Sequence, residues 1–380
     1  MSGPGDGAVA DAERHARVLL TSAVEPGDPA LAEQVATFGP VATLERLRRA
    51  APVAGRIEGI DPAAELARAA GLGIRFVVPG DDEWPASLDD LSHTEALHRR
   101  GGVPVGLWVR GGRRLDEADG LSLAIVGSRS STTYGEEAAA RLAAEVGKEG
   151  VPIVSGAAFG IDQAAHRGAM AVRALTVAVV AGGVDRSYPR AHHQLLTRIG
   201  EVGVVVSEAP LGTEPTRFGF LARNRLIAAL SRGSVVVEAA ARSGALNTAS
   251  WAEGLSRVVM GVPGPITSAV SEGVHELIRA RGALLVTRGA DVLEAIGPSG
   301  RWSSPARRQP ATPRDQLTFE ERELLDHVPA AQAQPTEVIA SAAGLAADVV
   351  AQTLRRLVVA GLVEGLPVGW RLTRLAIESR

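Results

Sequence analysis

The sequence predicts an α/β protein: a doubly wound, mostly parallel sheet, with a small helical domain before it and a winged helix after it. Three observations carry this reading. Seven apolar runs recur after residue 121: 123–126 (LAIV), 151–154 (VPIV), 175–180 (LTVAVV), 202–206 (VGVVV), 235–237 (VVV), 258–262 (VVMGV) and 283–286 (ALLV). They are rich in Val and Ile and do not alternate with polar residues, which suits strands buried on both faces, and helical stretches separate them. Such a βαβ series builds a parallel sheet with right-handed crossovers. Residues 11–70 carry helical spacing only, and 317–375 read as helices followed by a two-stranded wing.

Composition narrows the chemistry. At 380 residues the chain has room for two to three domains, and 46% hydrophobic residues suffice for a full core. The formal net charge of −3 leaves no global basic field, so a polyanion must bind a local patch. There is no cysteine, which excludes thiolate catalysis, disulfides and cysteine metal sites and agrees with a reducing cytoplasm, the expected compartment. Lys148 is the one lysine beside many arginines. GC-rich coding explains that bias, so the position of an arginine is informative and their number is not. The first residues lack a basic start and apolar core, and no apolar run reaches the roughly 20 residues of a membrane span.

The N-terminal domain is placed at 1–73. Residues 1–10 are Gly-rich and expected to be disordered. The remainder should form four or five short helices, punctuated by Pro26, Gly39-Pro40, Pro52 and Asp61-Pro62. No Gly-rich hairpin of the kind that grips duplex backbones is evident, which favours a packing or partner role. Between 74 and 111, Trp84-Pro85 and Trp108 are expected to cap the edge of the next domain, with base stacking by Trp84 as the alternative.

The central domain, 74–297, should carry its ligand beyond the carboxyl ends of the strands. Those ends read Gly127-Ser128-Arg129, Ser155-Gly156, Ala181-Gly182-Gly183, Ser207-Glu208, Glu238 leading to Ser243-Gly244, and Pro263-Gly264. Several small-residue turns on one rim imply a long cleft, and Arg129 with Arg217 to Arg225 would form its cationic walls. Between 213 and 265 an arginine-rich helix start, an apolar strand and a small-residue turn follow one another. Backbone N–H groups and a helix N-terminus there suit an anionic ligand, so the run reads as a nucleic-acid or nucleotide site. Each feature has a bland counterpart. Single glycines serve tight turns. Asp162 and His166 could ligate a metal or form an acid–base pair, but loop-holding hydrogen bonds are the better reading. His192 and His193 make a poor chelate, and no metal is expected. The P-loop, dinucleotide and nucleophile-elbow motifs are all missing: Gly147-Lys148 is followed by Glu149, and Arg129 would crowd a pyrophosphate turn.

Residues 298–316 hold four prolines and should be an extended linker, whose Arg301, Arg307, Arg308 and Arg314 read as solvated charge. In the winged helix, 317–380, Thr318 caps an acidic first turn, and a later helix presents Val350, Leu354, Leu357 and Val358 on one face. The recognition helix carries only Arg355 and Arg356, and the domain holds six Arg against eight Asp and Glu. A protein-contact or regulatory role fits better than sequence reading.

At this point the residues resemble a known family, DNA processing protein A (DprA, also called Smf). The motifs are Ile125-Val126-Gly127-Ser128-Arg129, Tyr134-Gly135, SGAAFGID at 155–162 with Ala165-His166, Tyr188-Pro189 and Ser207-Glu208. They continue with FLARNRLIAALS at 220–231, VVEAAARSGALNTA at 236–249 and Val262-Pro263-Gly264. The resemblance covers roughly 75–298, and the ordered set is specific although no member is. Two positions depart from the family pattern: His192 stands where Asn is common, and Ser271-Glu272-Gly273-Val274-His275 replaces a Gly-Thr-Asn-type turn.

The resemblance implies an extended Rossmann-like domain that binds single-stranded DNA, dimerises, and loads RecA recombinase onto incoming strands in natural transformation, with no cofactor and no catalysis. It implies a DNA site at Gly127, Ser128, Arg129, Ser155, Gly156, Arg217, Phe220, Arg223, Asn224, Arg225, Ser243 and Gly244. Arg129 and Arg217 would meet phosphates and Phe220 would stack a base. A bracing role remains open for Arg223 and Arg225, through Glu238 or Glu208. Two other functions compete. The fold resembles nucleoside-monophosphate phosphoribohydrolases, but Trp251 occupies the place of their catalytic Glu and Glu253 should face elsewhere. A winged-helix regulator with a nucleotide-sensing sheet is the third reading, against which the acidic tail weighs.

Overall fold

The computed structural model describes residues 4–49, 55–302 and 313–378. Pro52, Arg307 and Arg308 lie outside them. The chain divides into two compact units, 1–304 and 305–380.

The first unit is built on a nine-stranded sheet of order β1-β2-β6-β5-β4-β3-β7-β8-β9. The strands are β1 (Ile74–Val77), β2 (Leu107–Arg110), β3 (Leu123–Val126), β4 (Ile153–Ser155), β5 (Thr176–Val179), β6 (Val204–Ser207), β7 (Gly233–Val236), β8 (Val258–Gly261) and β9 (Leu284–Leu285). The seven apolar runs of the sequence supply β3 to β9, all parallel. β1 and β2 are antiparallel additions that the sequence reading lacked. Trp108 is therefore no edge cap. It lies fully buried in the middle of β2, its ring 4.5 Å from that of Phe76. Trp84 is also buried and donates its indole N–H to Asp89 at 3.0 Å, so it offers no face to a base.

Alternate residues of each strand feed opposite faces. Leu123 and Ile125 pack with the helices Thr133–Lys148 and Ile161–Ala171. Ala124 and Val126 pack with the helices Arg217–Ala229 and Ala245–Gly254. From β3 the chain winds one way through β4, β5 and β6, then returns to the other side of β3 as β7. The loops after β3 and β7 thus part from each other, which opens a crevice at this reversal of strand order.

The N-terminal helices are Pro4–Ala23, Pro29–Arg48 and Pro62–Gly71. The first begins inside the segment expected to be disordered, so residues 4–10 are helical. The second is broken at Gly39 (φ 78°, ψ 164°), ahead of Pro40. Val18 and Ala69 join the core beneath β1 and β2, and Arg14 bonds Asp81 at 2.6 Å, so these helices are anchored to the sheet.

The second unit includes the helices Phe319–Asp326, Thr336–Ala343 and Ala347–Val359, a hairpin of β10 (Val363–Leu366) and β11 (Gly369–Leu372), and a short helix Arg374–Glu378 after it. Thr318 and Glu321 close a capping box on its first helix. Leu324, Ile339, Leu354, Leu357 and Leu372 form its own core, and the arrangement is a winged helix. Among the described residues no single helix is long and apolar enough to cross a membrane.

Candidate functional site

The helix Arg217–Ala229 begins where the chain leaves the rim beyond β6. Thr216 caps it, accepting from Gly219 N at 3.0 Å, and no acid stands in its first turn. A helix repeats its face every three to four residues, so Arg217, Phe220, Arg223 and Asn224 share one side, while Arg225 turns away.

Arg223 is buried and does structural work at the base of the cleft. Its Nη1 donates to Val179 O at 2.7 Å, its Nε donates to Asn224 Oδ1 at 3.1 Å, and Asp162 faces it at 3.7 Å. Gly156 makes this possible, because a Cβ there would lie 1.6 Å from Arg223 Nη1. Burial lowers the pKa of Arg223 and raises that of Asp162, each opposed by the other's charge. Asn224 passes the connection on: its amide donates to Asn247 Oδ1 at 3.1 Å and to Gly244 O at 3.4 Å. One linked chain of bonds therefore fixes the Ser243-Gly244 turn against the end of β5.

The turn after β3 is equally determined. A Cβ on Gly127 would meet Glu238 O at 2.8 Å and Ile161 Cγ1 at 2.5 Å. Ser128 N donates to Glu238 O at 2.6 Å. The Glu238 carboxylate accepts from the backbone N–H of Thr132 at 2.8 Å and from its hydroxyl, and Thr132 caps the helix Thr133–Lys148. Glu238 is thus engaged with a helix start and braces neither arginine. Arg225 pairs instead with Glu208 at 2.8 Å.

Between these walls lies a cleft of about 880 Å³. Gly127, Ser128 and Arg129 line one side; Arg217, Phe220, Arg223 and Asn224 line another; Ser243 and Gly244 complete it. The Arg129 guanidinium lies 4.4 Å from the centre of the Phe220 ring, and the Tyr188 ring is 5.9 Å from the same ring. Arg129, Arg217 and Arg242 are exposed, and among the described residues none has a carboxylate within ion-pair distance. A smaller pocket of about 80 Å³ opens behind Phe220, between Gly156, Phe159, Gly182, Gly183 and Tyr188. The assembly can hold phosphates with free guanidinium groups and a planar ring against Phe220.

Nine of the predicted residues come together here, and Gly156 lines the smaller pocket. Two do not face the cleft. Ser155 is fully buried and donates its hydroxyl to Ile125 O at 2.6 Å, because it still belongs to β4. Arg225 is fully buried on the far side of its helix, bonded to Gly102 O and Ala222 O as well as to Glu208. Asp162 and His166 part company: Asp162 accepts from Ala158 N at 3.3 Å, while His166 Nδ1 meets Thr176 Oγ1 at 2.7 Å. His192 Nδ1 donates to Ala157 O at 3.0 Å, whereas exposed His193 meets Ser187. Among the described residues no cluster could hold a metal ion.

Sequence reasoning missed His98, Arg242 and Tyr188 as cleft residues. Arg242 stands beside the Ser243-Gly244 turn, and its position was the available signal. His98 lies well before the βαβ series and gave none.

Comparison with known proteins places the chain among relatives. The family model for DNA recombination-mediator protein A matches residues 75–297. A Mycobacterium tuberculosis protein named for DNA processing (DprA) is 43% identical over 96% of this chain and 95% of its own length. Protein Smf of Escherichia coli is 37% identical over 80% of this chain and 79% of its own. The X-ray structure of DprA from Streptococcus pneumoniae superposes with a TM-score of 0.62 and 32% identity, covering 74% of this chain and 96% of that one.

Proposed function

The chain belongs to the DNA recombination-mediator protein A family, and on that premise we propose that it binds single-stranded DNA without regard to sequence and delivers it to a RecA recombinase. The observation that carries this is the Arg129–Phe220 pair at the cleft, with Arg217 and Arg242 free beside it. Unpaired guanidinium groups suit a phosphate backbone, and an aromatic face accepts any base. The cleft's amide chemistry is not free to read a base edge. Its one amide side chain, Asn224, is consumed by Arg223, Asn247 and Gly244. Hydrogen bonds to base edges are what would confer sequence preference.

The protein acts in this reading as a binder and not as an enzyme. Among the described residues lining the cleft the one carboxylate is Asp162, buried and faced by Arg223. Trp251 is fully buried, and Glu253 bonds Arg281 at 3.0 Å, away from the cleft. A general acid for glycosidic cleavage would need to reach the departing base. Two copies would associate through the edge strand β9, where Leu284 and Leu285 are exposed on an unpaired margin of the sheet. Sedimentation of Leu285→Lys should show a shift toward monomer.

Fluorescence anisotropy with labelled oligo-dT and a matched duplex, at two salt concentrations, tests the main reading. Preference for the single strand, weakening as salt rises, is expected. Arg129→Ala and Arg217→Ala should each weaken binding by about tenfold and flatten the salt slope by about 0.7, the share of one phosphate contact on a single strand. Wild-type affinity in both variants would move the site elsewhere. Nucleoside monophosphates would then be tested as ligands and substrates.

A further inference from the structure

Phe218 and Phe220 are two residues apart on one helix, so their side chains project about 200° from each other. Phe220 serves the cleft. Phe218 points to the other side, half exposed, and the Arg100 guanidinium lies 4.9 Å from its ring centre. Arg100 closes a tight turn. Leu97 N donates to Arg100 O at 2.9 Å and Arg100 N to Leu97 O at 3.0 Å, with His98 and Arg99 as the two tip residues. Both tip residues have positive φ, 51° and 62°. Gly, Asn or Asp ordinarily fill such positions, because a larger side chain is strained there. The turn is firmly moored: Arg100 donates to Pro26 O at 3.1 Å and to Glu25 at 2.6 Å, and Gly101 N to Gly27 O at 2.9 Å.

The tip residues themselves are uncommitted. His98 and Arg99 are exposed, and among the described residues neither side chain has a hydrogen-bond or ion-pair partner. His98 nevertheless lines the same cleft as Arg217 and Phe220. The turn thus carries His98 to the cleft margin and holds Arg99 beside it, while its Arg100 lies against a second aromatic ring.

We propose that the Leu97–Arg100 turn and Phe218 form a second strand-binding segment, which takes the nucleotides of a single strand after it leaves the cleft across the first turn of the helix Arg217–Ala229. This rests on reading the cleft as a single-strand site and adds the path of the strand beyond it. Arg99 and His98 hold phosphates, and the uncovered face of Phe218 stacks a base. The two aromatic platforms lie on opposite sides of the helix, so the strand bends over Arg217 between them. A strand too short to make that bend occupies the cleft alone.

The test uses the full chain and oligo-dT of about 5 and about 20 nucleotides, one near the lower end and one beyond the upper end of the roughly 4–16 nucleotides typical of single-strand sites. The variants are Phe218→Ala and Arg99→Asn, neither of which lines the cleft. Asn tolerates positive φ, so Arg99→Asn removes the cation without breaking the turn. Each should weaken binding of the long strand by about tenfold and leave the short strand within about twofold. Arg99→Asn should also lower the salt slope on the long strand by about 0.7. Unchanged binding of the long strand, or equal loss on both lengths, overturns the proposal. Arg129→Ala and Arg217→Ala run in parallel separate the two readings. If either weakens both lengths while Phe218→Ala and Arg99→Asn weaken neither, the cleft stands and the second segment falls. If both leave both lengths unchanged, both readings fall.

Discussion

Arg217 and Arg225 are the same residue type, two turns apart on one helix, with opposite fates. Arg217 is exposed and has no ion-pair partner among the described residues; Arg225 has no exposed surface and three partners, Gly102 O, Ala222 O and Glu208. Removing one member of a buried ion pair strands the other in a poor solvent. Arg225→Ala should therefore cost about 3–5 kcal/mol of stability in urea unfolding, while folded protein keeps its affinity for oligo-dT. Arg217→Ala should do the reverse. The sequence could not separate them, since both sit in one arginine-rich run and only the helix phase and the location of Glu208 decide. His166 shows the same limit. Thr176 Oγ1 already donates to Ile153 O, so His166 Nδ1 must donate to Thr176, and the buried Nε2 is left bare and neutral. Burial first, then the charge of Arg223, lowers its pKa from 6.5 to about 3. A depressed pKa means that its contribution is complete above pH 6.5 and lost as pH falls toward 3. Each unit of acidification in that window should cost about 1.4 kcal/mol through this group. Urea unfolding at pH 7 and pH 5 should show His166→Gln with the shallower dependence.

At the level of elements, the glycines of the rim do separate jobs that composition cannot distinguish. Gly127 lets the β3 turn approach the Glu238 carbonyl, and Gly156 leaves the space that the Arg223 guanidinium fills. Gly156→Ala should displace Arg223, release Asn224 from the Ser243-Gly244 turn, and weaken binding by about tenfold or more. The measurement is anisotropy beside thermal melting. A variant that binds normally would show that the bond chain through Arg223 does not shape the cleft. Legibility followed the same physics. Strands β3 to β9 were plain, because a strand buried on both faces is an unbroken Val/Ile run. The pair β1 and β2 escaped, because four-residue antiparallel strands among Gly, Pro and Trp look like loop. Arg129 was legible beside the Gly127 turn, and Phe220 as part of an arginine-rich helix start. His98 was not, because the fold alone brings Leu97–Arg100 to the cleft.

For the whole molecule, the question is which unit carries the affinity. Net charge is −3, so binding must come from a local field and not from the molecule's average. The first unit concentrates free cations at the cleft. The second, with its own core, holds six Arg against eight acids in 317–380, and Arg356 lies 3.9 Å from Glu321. Its helix Ala347–Val359 shows exposed Val349 and Val359 where a duplex reader would need an excess of cations. Ending the chain at Ser304 should therefore leave single-strand affinity within about twofold and the salt slope unchanged, since no phosphate contact is removed. The truncated chain should keep a cooperative melt, because the sheet and its helices form one unit up to that residue. A steep fall in affinity with the melt preserved would mean that the winged helix contacts the strand despite its charge. Retained affinity with failure to support RecA on the same strand would instead assign the winged helix to a protein partner, the role its exposed valines and acids fit.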